Sequence, residues 1–197
     1  MLNKIRSNLK DFRGSPPVED LPKAAVLLAV TEQENPELIF TLRSNKVSSH
    51  KGEVAFPGGK VEEVDKSLQD TALREAEEEI GLDKNTVQVL GSLDTTVSRF
   101  GISVTPFVGI IPPNPVLNES SSEIESYFKV PISYFIDDKR HRNDKVTKDG
   151  GETFYMPAYK YNNYIIWGLT AMITVNFLNL ALEKEIDLSK PGKLRSY

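Results

Sequence analysis

Four glutamates, Glu75, Glu77, Glu78 and Glu79, crowd about one helical turn shortly after two adjacent glycines. They belong to the stretch "FPGGKVEEVDKSLQDTALREAEEEIGL", residues 56–82. Carboxylates at this spacing repel one another, so the arrangement costs stability unless a positive partner offsets it. Clustered carboxylates are typical ligands of a hard dication, because Mg²⁺ and Mn²⁺ prefer oxygen donors. The stretch therefore predicts a metal site.

Helical geometry divides these acids into two groups. At about 100° per residue, Glu75, Glu78 and Glu79 share one face of the predicted helix. Glu77 falls away from that face and is predicted to be solvated. An isolated acidic run is more often a solvated surface, so the neighbouring glycines matter to the interpretation. A stripe beside the acids is predicted to face the core: Ala72, Leu73, Ala76 and Ile80.

The glycine pair and the loop that follows it add two further expectations. Without Cβ atoms, Gly58 and Gly59 allow the backbone to bend sharply and to offer a carbonyl to a metal or amides to an anion. Asp65 is expected to pair with Arg74, which would hold the loop against the helix by a charge-assisted link.

The composition restricts the class of protein. A chain of 197 residues suits one domain, and 39% hydrophobic with 26% charged residues is ordinary for a globular protein. The net charge of −4 argues against a nucleic-acid partner. Cysteine is absent, which excludes disulfides, thiolate zinc sites and a cysteine nucleophile, and fits a reducing compartment.

Two apolar segments are predicted to be helices that pack on the domain rather than membrane anchors. Residues 1–22 form a helical extension in which "MLNKIRSNLKDF" has apolar residues at helical spacing. Residues 169–184 form a closing helix, since their apolar run is short for a bilayer and is interrupted by asparagines. We therefore expect no membrane partner and a cytoplasmic location.

The remaining elements predict an α+β fold. "KAAVLLAV" and "ELIFTLR" indicate a hairpin, and "SLQDTALREAEEEIG" indicates a helix that ends at Gly81. Further strands are predicted in "TVQVLGSLDTTV" and "ISVTPFVGII", and a second hairpin turns at residues 162–163. The segment "DDKRHRNDKVTKDGGE" is predicted to be a charged loop. Because strands come in hairpins that helices interrupt, we expect a mixed sheet and not a doubly wound parallel one.

The glycine pair and the acidic helix resemble the signature of the Nudix hydrolases, G-x5-E-x7-R-E-U-x-E-E-x-G-U, where U is a bulky aliphatic residue. Gly59 matches its first position, and Asp65 stands where a glutamate is usual. Eight residues rather than seven then separate Asp65 from Arg74. The distal half is matched by Arg74, Glu75, Ala76, Glu78, Glu79, Gly81 and Leu82.

A second motif resembles the coenzyme A pyrophosphatase branch of that family, L-L-T-x-R-S-x3-R-x3-G-x3-F-P-G-G. The segment "IFTLRSNKVSSHKGEVAFPGG" is in register with it, although Ser48 stands where its second arginine is expected. Similarity to the branch extends from about residue 23 to residue 182. Its matching residues are Thr41, Arg43, Ser44, Gly52, Phe56, Pro57, Gly58 and Gly59.

The resemblance implies a fold, an activity and a cofactor. The fold is a Nudix-type α/β/α sandwich with a mixed β-sheet and the Nudix helix, in one domain over residues 1–197. The activity is metal-dependent hydrolysis of a diphosphate bond in a nucleoside diphosphate derivative. Coenzyme A or acyl-coenzyme A would give 3′,5′-ADP and 4′-phosphopantetheine, with Mg²⁺ or Mn²⁺ as cofactor.

It also implies roles for particular residues. Arg74 orients the acids, and Glu123 is a candidate general base, with a glutamate of the acidic helix as the alternative. The expected metal ligands are Glu75, Glu78, Glu79 and the carbonyl of Gly58. The expected substrate-binding residues are Arg43, Ser48, Lys51 and Gly59.

Alternatives to this function remain open. The chain could be a diphosphatase for ADP-ribose or another nucleoside diphosphate, because a serine at position 48 binds phosphate less well than an arginine. A non-catalytic ligand sensor on the same fold is less favoured, since degenerate sensors usually lose acids that this sequence retains. A homodimer is left open.

Overall fold

A computed structural model describes residues 1–44, 52–119, 121–147 and 150–195 of the chain. Short 3-10 helices lie at Lys84–Thr86 and Ile132–Tyr134. The helices and strands of the described residues are, in chain order, α1 (Leu2–Leu9), β1 (Lys23–Thr31), β2 (Glu37–Arg43), β3 (Val54–Ala55), β4 (Gly58–Lys60), α2 (Leu68–Ile80), β5 (Gln88–Ser92), β6 (Thr96–Val97), β7 (Ser103–Ile111), β8 (Ile124–Pro131), β9 (Arg142–Thr147), β10 (Thr153–Tyr161), β11 (Tyr164–Ile166) and α3 (Gly168–Leu182).

The larger sheet is mixed. Its central order is β3-β2-β1-β7-β5, with β4 paired to β1, β6 to β7 and β8 to β2. The β1–β7 pair is parallel, from Lys23 opposite Ser103 to Thr31 opposite Ile111, whereas β1 and β2 form the predicted antiparallel hairpin. A smaller sheet has the order β11-β10-β9. The prediction of a mixed rather than a doubly wound sheet is confirmed.

Helices cover both faces of the larger sheet. Alternate residues of β1 point to opposite sides, so Leu27 packs in one apolar cluster and Leu28 in another. The Leu27 cluster includes Ala72 and Ile80 from α2. The Leu28 cluster includes residues from α1 and α3, such as Phe177. The helix–sheet–helix layering confirms the α+β sandwich.

The two terminal helices pack against each other, although within the predicted helical extension of residues 1–22 only Leu2–Leu9 is helical. Ile5 and Leu9 of α1 are buried beside α3, and the Asn8 Nδ2 donates to the Ala181 carbonyl over 3.3 Å. The bounds of α3 agree with the predicted 169–184 to within two residues. In the part of the chain that the structure describes, no helix is both long and apolar enough to cross a membrane.

Local sequence signals fix both ends of α2. The Ser67 hydroxyl accepts from the Asp70 amide at 3.1 Å, which caps the amino end. Gly81 adopts the left-handed conformation with φ of 65°, and its amide donates to the Glu77 carbonyl at 3.0 Å. The predicted stop at Gly81 is confirmed, and the helix presents its acids at a defined position.

One predicted loop is wrong. The charged segment "DDKRHRNDKVTKDGGE" contains strand β9, which pairs antiparallel with β10. The error has a physical reason, because β9 is an edge strand of the smaller sheet and its residues are exposed or half-buried. Charged side chains are common on edge strands, where they discourage pairing with another chain. The predicted hairpin of β10 and β11 is confirmed, with Asn162 at a φ of 52° in its turn.

Candidate functional site

The two glycines lie next to the acidic helix for a reason other than the predicted bend. Gly58 and Gly59 are extended residues of β4, opposite Val26 and Ala25 of β1. A Cβ on Gly58 would collide with the backbone of β1, and a Cβ on Gly59 would collide with the Glu75 carboxylate. Glycine is therefore required here by close approach, and the prediction of a sharp bend at this pair is wrong.

Glu75 lies directly against this glycine strand. Its side chain is 16% exposed, and its Oε1 is 3.1 Å from Nη1 of Arg74. Burial raises the pKa of the Glu75 carboxyl, and the neighbouring acids Glu78 and Glu123 raise it further, while Arg74 opposes the shift. The predicted position of Glu75 on the site face is consistent with this contact.

Glu79 is the most buried acid of the helix. Its side chain is only 5% exposed, the Gly58 amide donates to its Oε2 at 3.3 Å, and Nη1 of Arg43 is 3.6 Å from its Oε1. Burial raises the pKa of Glu79 to about 8, against the attraction of Arg43, and Glu75 adds to the rise. The positive charge around this carboxyl is thus insufficient to offset its burial.

Glu78 lies at the outer edge of the same face. Its side chain is 57% exposed, and its Oε2 is 3.0 Å from Nη1 of Arg74, one helical turn earlier. Glu77 points elsewhere, where it pairs with Lys84 at 2.9 Å. The helix therefore separates Glu77 from the other three acids, as the sequence predicts.

Arg74 connects the helix to the preceding loop. Its Nε donates to Oδ1 of Asp65 at 2.9 Å and its Nη2 donates to Oδ2 at 3.0 Å, so the predicted pair is bidentate. These bonds hold the pKa of the Asp65 carboxyl well below its usual range and raise the pKa of Arg74. Arg74 also donates to the Lys60 carbonyl at 3.1 Å. One arginine thus joins α2, the loop and β4.

Thr71 is a third member of this link, which the sequence did not predict. The hydroxyl of Thr71 donates to Oδ2 of Asp65 at 2.9 Å, and Thr71 is fully buried. Thr71 is three residues before Arg74, so the two side chains lie on the same face of α2, about one turn apart. The spacing offers a signal, because Thr71 falls on the same face of the predicted helix as Glu75 and Glu78.

Arg43 brings the loop acid Glu123 to the helix. Its Nη2 is 3.3 Å from Oε2 of Glu123, while its Nη1 faces Glu79. The Ser44 amide donates to the Glu123 carbonyl at 2.7 Å, which fixes the loop beside the end of β2. Among the described residues, Nε of Arg43 is buried without a hydrogen-bond partner. The candidate base and the candidate phosphate ligand are therefore neighbours.

The other predicted substrate residues have different outcomes. Gly59 lies in the site, against Glu75. Ser48 and Lys51 lie outside the described residues, so their predicted roles stay predictions.

The donor set suits a hard dication, although the carboxylates face arginines. Within residues 1–44, 52–119, 121–147 and 150–195, no three side chains of Asp, Glu, His or Cys are gathered tightly enough to hold a metal as they stand. Glu79 turns to Arg43, whereas Glu75 and Glu78 turn to Arg74. The carboxylate oxygens suit a hard dication, which would offset the burial that raises the pKa of Glu79.

Comparison with known proteins identifies the family and agrees with the fold. Residues 21–149 match the family model described as NUDIX domain. A protein of Photorhabdus laumondii named "Uncharacterized Nudix hydrolase NudL" is 42% identical over 150 residues, which are 76% of this chain and 80% of the relative. "Nudix hydrolase 15, mitochondrial" of Arabidopsis thaliana is 39% identical over 172 residues, 82% of this chain and 59% of that protein.

A solved structure supports the fold alone. The "MutT/nudix family protein from Enterococcus faecalis" is 16% identical, with a TM-score of 0.56 over 87% of this chain and 66% of that chain. The family match covers the acidic helix, the glycine strand and Arg43 together. The chain therefore belongs to the Nudix family and is a Nudix hydrolase.

Proposed function

We propose that this Nudix hydrolase cleaves the diphosphate bond of coenzyme A or acyl-coenzyme A, giving 3′,5′-ADP and 4′-phosphopantetheine or its acylated form. The family acts on nucleoside diphosphate derivatives in general. The choice of coenzyme A rests on the motif that precedes the glycine pair, which carries Arg43 in register with the coenzyme A branch.

One observation supports this proposal more than any other. Arg43 belongs to the upstream motif and Glu79 to the Nudix signature, and their side chains are 3.6 Å apart. An arginine whose guanidinium lies beside the carboxylates can donate N–H hydrogen bonds to the oxygens of a diphosphate bound there. The substrate-selecting motif and the hydrolytic motif would then act on the same group.

The proposal assigns the metal ligands to Glu75, Glu78, Glu79 and the carbonyl of Gly58. Nudix hydrolases generally use divalent metal ions, and Mg²⁺ or Mn²⁺ suits these oxygen donors. When bound, such an ion polarises phosphoryl oxygens and lowers the pKa of a coordinated water. A dication and the two arginines would compete for the same carboxylate oxygens.

Arg74 has a positioning role in the proposed reaction. Its bonds to Asp65 and the Lys60 carbonyl leave Nη1 facing Glu75 and Glu78. The guanidinium thereby holds both carboxylates beside β4 and lowers the cost of their mutual repulsion.

Glu123 is the proposed general base. The oxygen of a water molecule bonds to one phosphorus while the bridging P–O bond breaks, and the electron pair stays on the departing phosphate. The Glu123 carboxylate takes the proton of that water, for which its position beside Arg43 is suitable. Its side chain is exposed and can return the proton to solvent.

A substrate panel tests the proposed function. Purified protein is incubated with Mg²⁺ and either coenzyme A, acetyl-coenzyme A, ADP-ribose or a dinucleoside polyphosphate, and the products are separated by chromatography. We expect coenzyme A or its thioester to have the highest kcat/KM. Faster cleavage of ADP-ribose would favour the alternative diphosphatase, and no cleavage of any compound would favour a ligand sensor.

The serine at position 48 allows a sharper test of the substrate. Arg43, Ser48 and Lys51 are the proposed phosphate contacts of the upstream motif. Ser48→Arg should lower KM for coenzyme A by about tenfold, because an arginine–phosphate bond is worth about 1.5–3 kcal/mol. An unchanged KM would count against the coenzyme A assignment.

A cytoplasmic location and a homodimer stay predictions.

A further inference from the structure

Four side chains outside the acidic site, three of them exposed and one half-buried, form a group of arginines and aromatic rings. We define the arginine–aromatic cluster as Arg99, Phe100, Arg142 and Trp167. The Arg99 guanidinium carbon is 4.7 Å from the centre of the Phe100 ring and 5.8 Å from the Trp167 ring. The Arg142 guanidinium carbon is 5.9 Å from the Trp167 ring. Both arginines thus share one tryptophan.

Glu53 links the cluster to Arg43, a residue of the proposed active site. Arg99 is 3.3 Å from Oε1 of Glu53, and the Glu53 carbonyl accepts from the Arg43 amide at 3.0 Å. Glu53 therefore lies between Arg99, which contacts its side chain, and Arg43, which bonds to its backbone. Hydrogen-bonded neighbouring strands are about 4.8 Å apart. In addition, the Thr170 hydroxyl in the first turn of α3 donates to the Val54 carbonyl at 2.9 Å. This bond holds Trp167 beside the same short strand, β3.

Folding alone gives little reason for this arrangement. Phe100 is 57% exposed, so its ring contributes little to the core. The ion pairs Arg99–Glu53 and Arg142–Asp144 are at the surface, where such pairs contribute about 0–1 kcal/mol. Arginine has five N–H donors, so one carboxylate partner leaves donors for a ligand.

The chemistry of the cluster matches the nucleoside end of a phosphorylated nucleotide. Nucleobases stack on aromatic rings and on guanidinium planes, with about 1–3 kcal/mol per base. Two guanidiniums beside the stacking surface suit an anionic substituent on the sugar. A chain with a net charge of −4 needs such local positive charge to receive a polyanion.

We propose that the arginine–aromatic cluster is a nucleoside subsite, in which the base stacks on Trp167 and Phe100 while Arg99 and Arg142 bind a phosphate on the ribose. This inference rests on the proposed function, which it deepens by naming the part of the substrate that is selected. Coenzyme A carries such a ribose phosphate, whereas ADP-ribose does not. The cluster would therefore separate the leading substrate from its alternative.

Tryptophan fluorescence tests the subsite without catalysis. Trp167 is the one tryptophan of the chain, so its emission reports on stacking at this place. The metal-free protein is titrated with adenosine 3′,5′-bisphosphate, with 5′-AMP and with inorganic phosphate. We expect the bisphosphate to quench the emission and to bind about tenfold more tightly than 5′-AMP, with no response to phosphate. Unchanged emission, equal affinities or the same response to phosphate alone would overturn the proposal.

Two arginine variants provide a matched comparison. Arg142→Ala should abolish the preference for the bisphosphate and raise KM for coenzyme A by about tenfold, with kcat and the kinetics of ADP-ribose unchanged. Arg6→Ala should leave all of these values unchanged. Arg6 also forms a surface ion pair, with Glu32, which directly follows β1 and is distant from the arginine–aromatic cluster. Equal behaviour of the two variants would contradict the subsite.

The failure of this inference is distinguishable from the failure of the proposed function. If the protein cleaves coenzyme A while Trp167 emission ignores the bisphosphate and Arg142→Ala has the wild-type KM, the subsite is wrong and the function stands. If the bisphosphate quenches the emission but no nucleoside diphosphate is cleaved, the function is wrong and the subsite stands.

Discussion

Two regions of this molecule bury charged side chains, and they do so in opposite ways. One is the acidic site on α2. The other is a cluster around Arg140, whose side chain is 0% exposed. Arg140 bonds Asp138 through Nε at 2.9 Å and Nη2 at 2.7 Å, and its Nη1 donates to Oδ1 of Asn143 at 2.8 Å. The Tyr159 hydroxyl completes the cluster by donating to Asp138 at 2.6 Å.

The Arg140 cluster is complete without any ligand. One guanidinium faces one carboxylate, and each of its three nitrogens donates to an acceptor. Its backbone also pairs with the C-terminal segment, through bonds to Lys193 and Arg195 of 2.8 Å each. Burial and the adjacent Asp138 raise the pKa of the Tyr159 hydroxyl, which therefore stays protonated. Such a cluster fixes structure and has no chemistry left to perform.

In the acidic site, five carboxylates face two arginines. Glu75, Glu78 and Glu79 share two arginines with Asp65 and Glu123, and the pKa of Glu79 rises to about 8 as a result of its burial. Burial of charge is therefore a poor marker of function on its own. What distinguishes the acidic site is that its carboxylates outnumber its arginines, so a bound cation would offset the excess of negative charge.

The largest expected effect is on turnover when the buried acid is neutralised. Glu79→Gln should lower kcat by about 10³-fold, because the charge that holds the dication is removed. The free energy of unfolding of the metal-free protein should not decrease, since a buried charge is replaced by a neutral isostere. Steady-state kinetics and urea unfolding measure the two quantities. If Glu79→Gln kept wild-type turnover, the acidic site would not be the functional one of the two regions.

The Arg140 cluster should show the reverse pattern. Arg140→Met leaves Asp138 without its partner and should lower the free energy of unfolding by about 3–5 kcal/mol, while kcat of the folded fraction stays near wild type. Lys139→Ala is the matched control, because Lys139 pairs with Asp137 at the exposed surface and its loss should cost at most about 1 kcal/mol. A large loss of kcat in a folded Arg140→Met protein would contradict a purely structural cluster.

The pH dependence of stability should separate the two regions as well. A carboxyl whose pKa rises from 4.5 in the unfolded chain to about 8 in the folded protein binds its proton more tightly when folded. The stability of metal-free protein should therefore fall, by more than about 1 kcal/mol, as pH increases through that interval. Urea unfolding at pH 5 and pH 8 measures the change, and Glu79→Gln should remove most of it. If the free energy of unfolding of Glu79→Gln declined equally between pH 5 and pH 8, groups other than Glu79 would be responsible.

The smallest effect is expected at the acid that the helix turns away from the site. Glu77→Gln should change kcat by less than about twofold, because Glu77 pairs with the exposed Lys84, away from the acidic site. This variant removes the same charge from the same helix as Glu79→Gln, so it serves as its control. Equal losses in both variants would mean that the division of the helix into two faces is incorrect.

The sequence predicts the parts of this molecule that depend on neighbours in the chain. Helix α2, its cap at Gly81 and the Asp65–Arg74 pair all follow from short-range spacing, and all are found. Strand β9 could not be predicted, because its charged residues are stabilised by pairing with β10 rather than by their own pattern. The extended state of Gly58 and Gly59 likewise depends on β1, which is distant in sequence.

The same division applies to the site. The acids of one helix face were found from helical periodicity, whereas the contacts of Arg43 with Glu79 and Glu123 depend on how β2 and β8 pair. The arginine–aromatic cluster brings together a loop, an edge strand and the start of α3, so no local sequence pattern predicts it. Long-range pairing is the part of the structure that local sequence signals do not contain.

The central claim is that acids on one face of α2 bind a divalent ion. A crystal of the wild-type protein soaked in Mn²⁺ and measured at a wavelength where manganese scatters anomalously tests this claim most directly. We expect an anomalous peak within about 2.0–2.3 Å of carboxylate oxygens of Glu75, Glu78 and Glu79, with the Gly58 carbonyl as a further ligand. A peak elsewhere, or none at these three residues while Arg43 and Arg74 keep their contacts, would contradict the account.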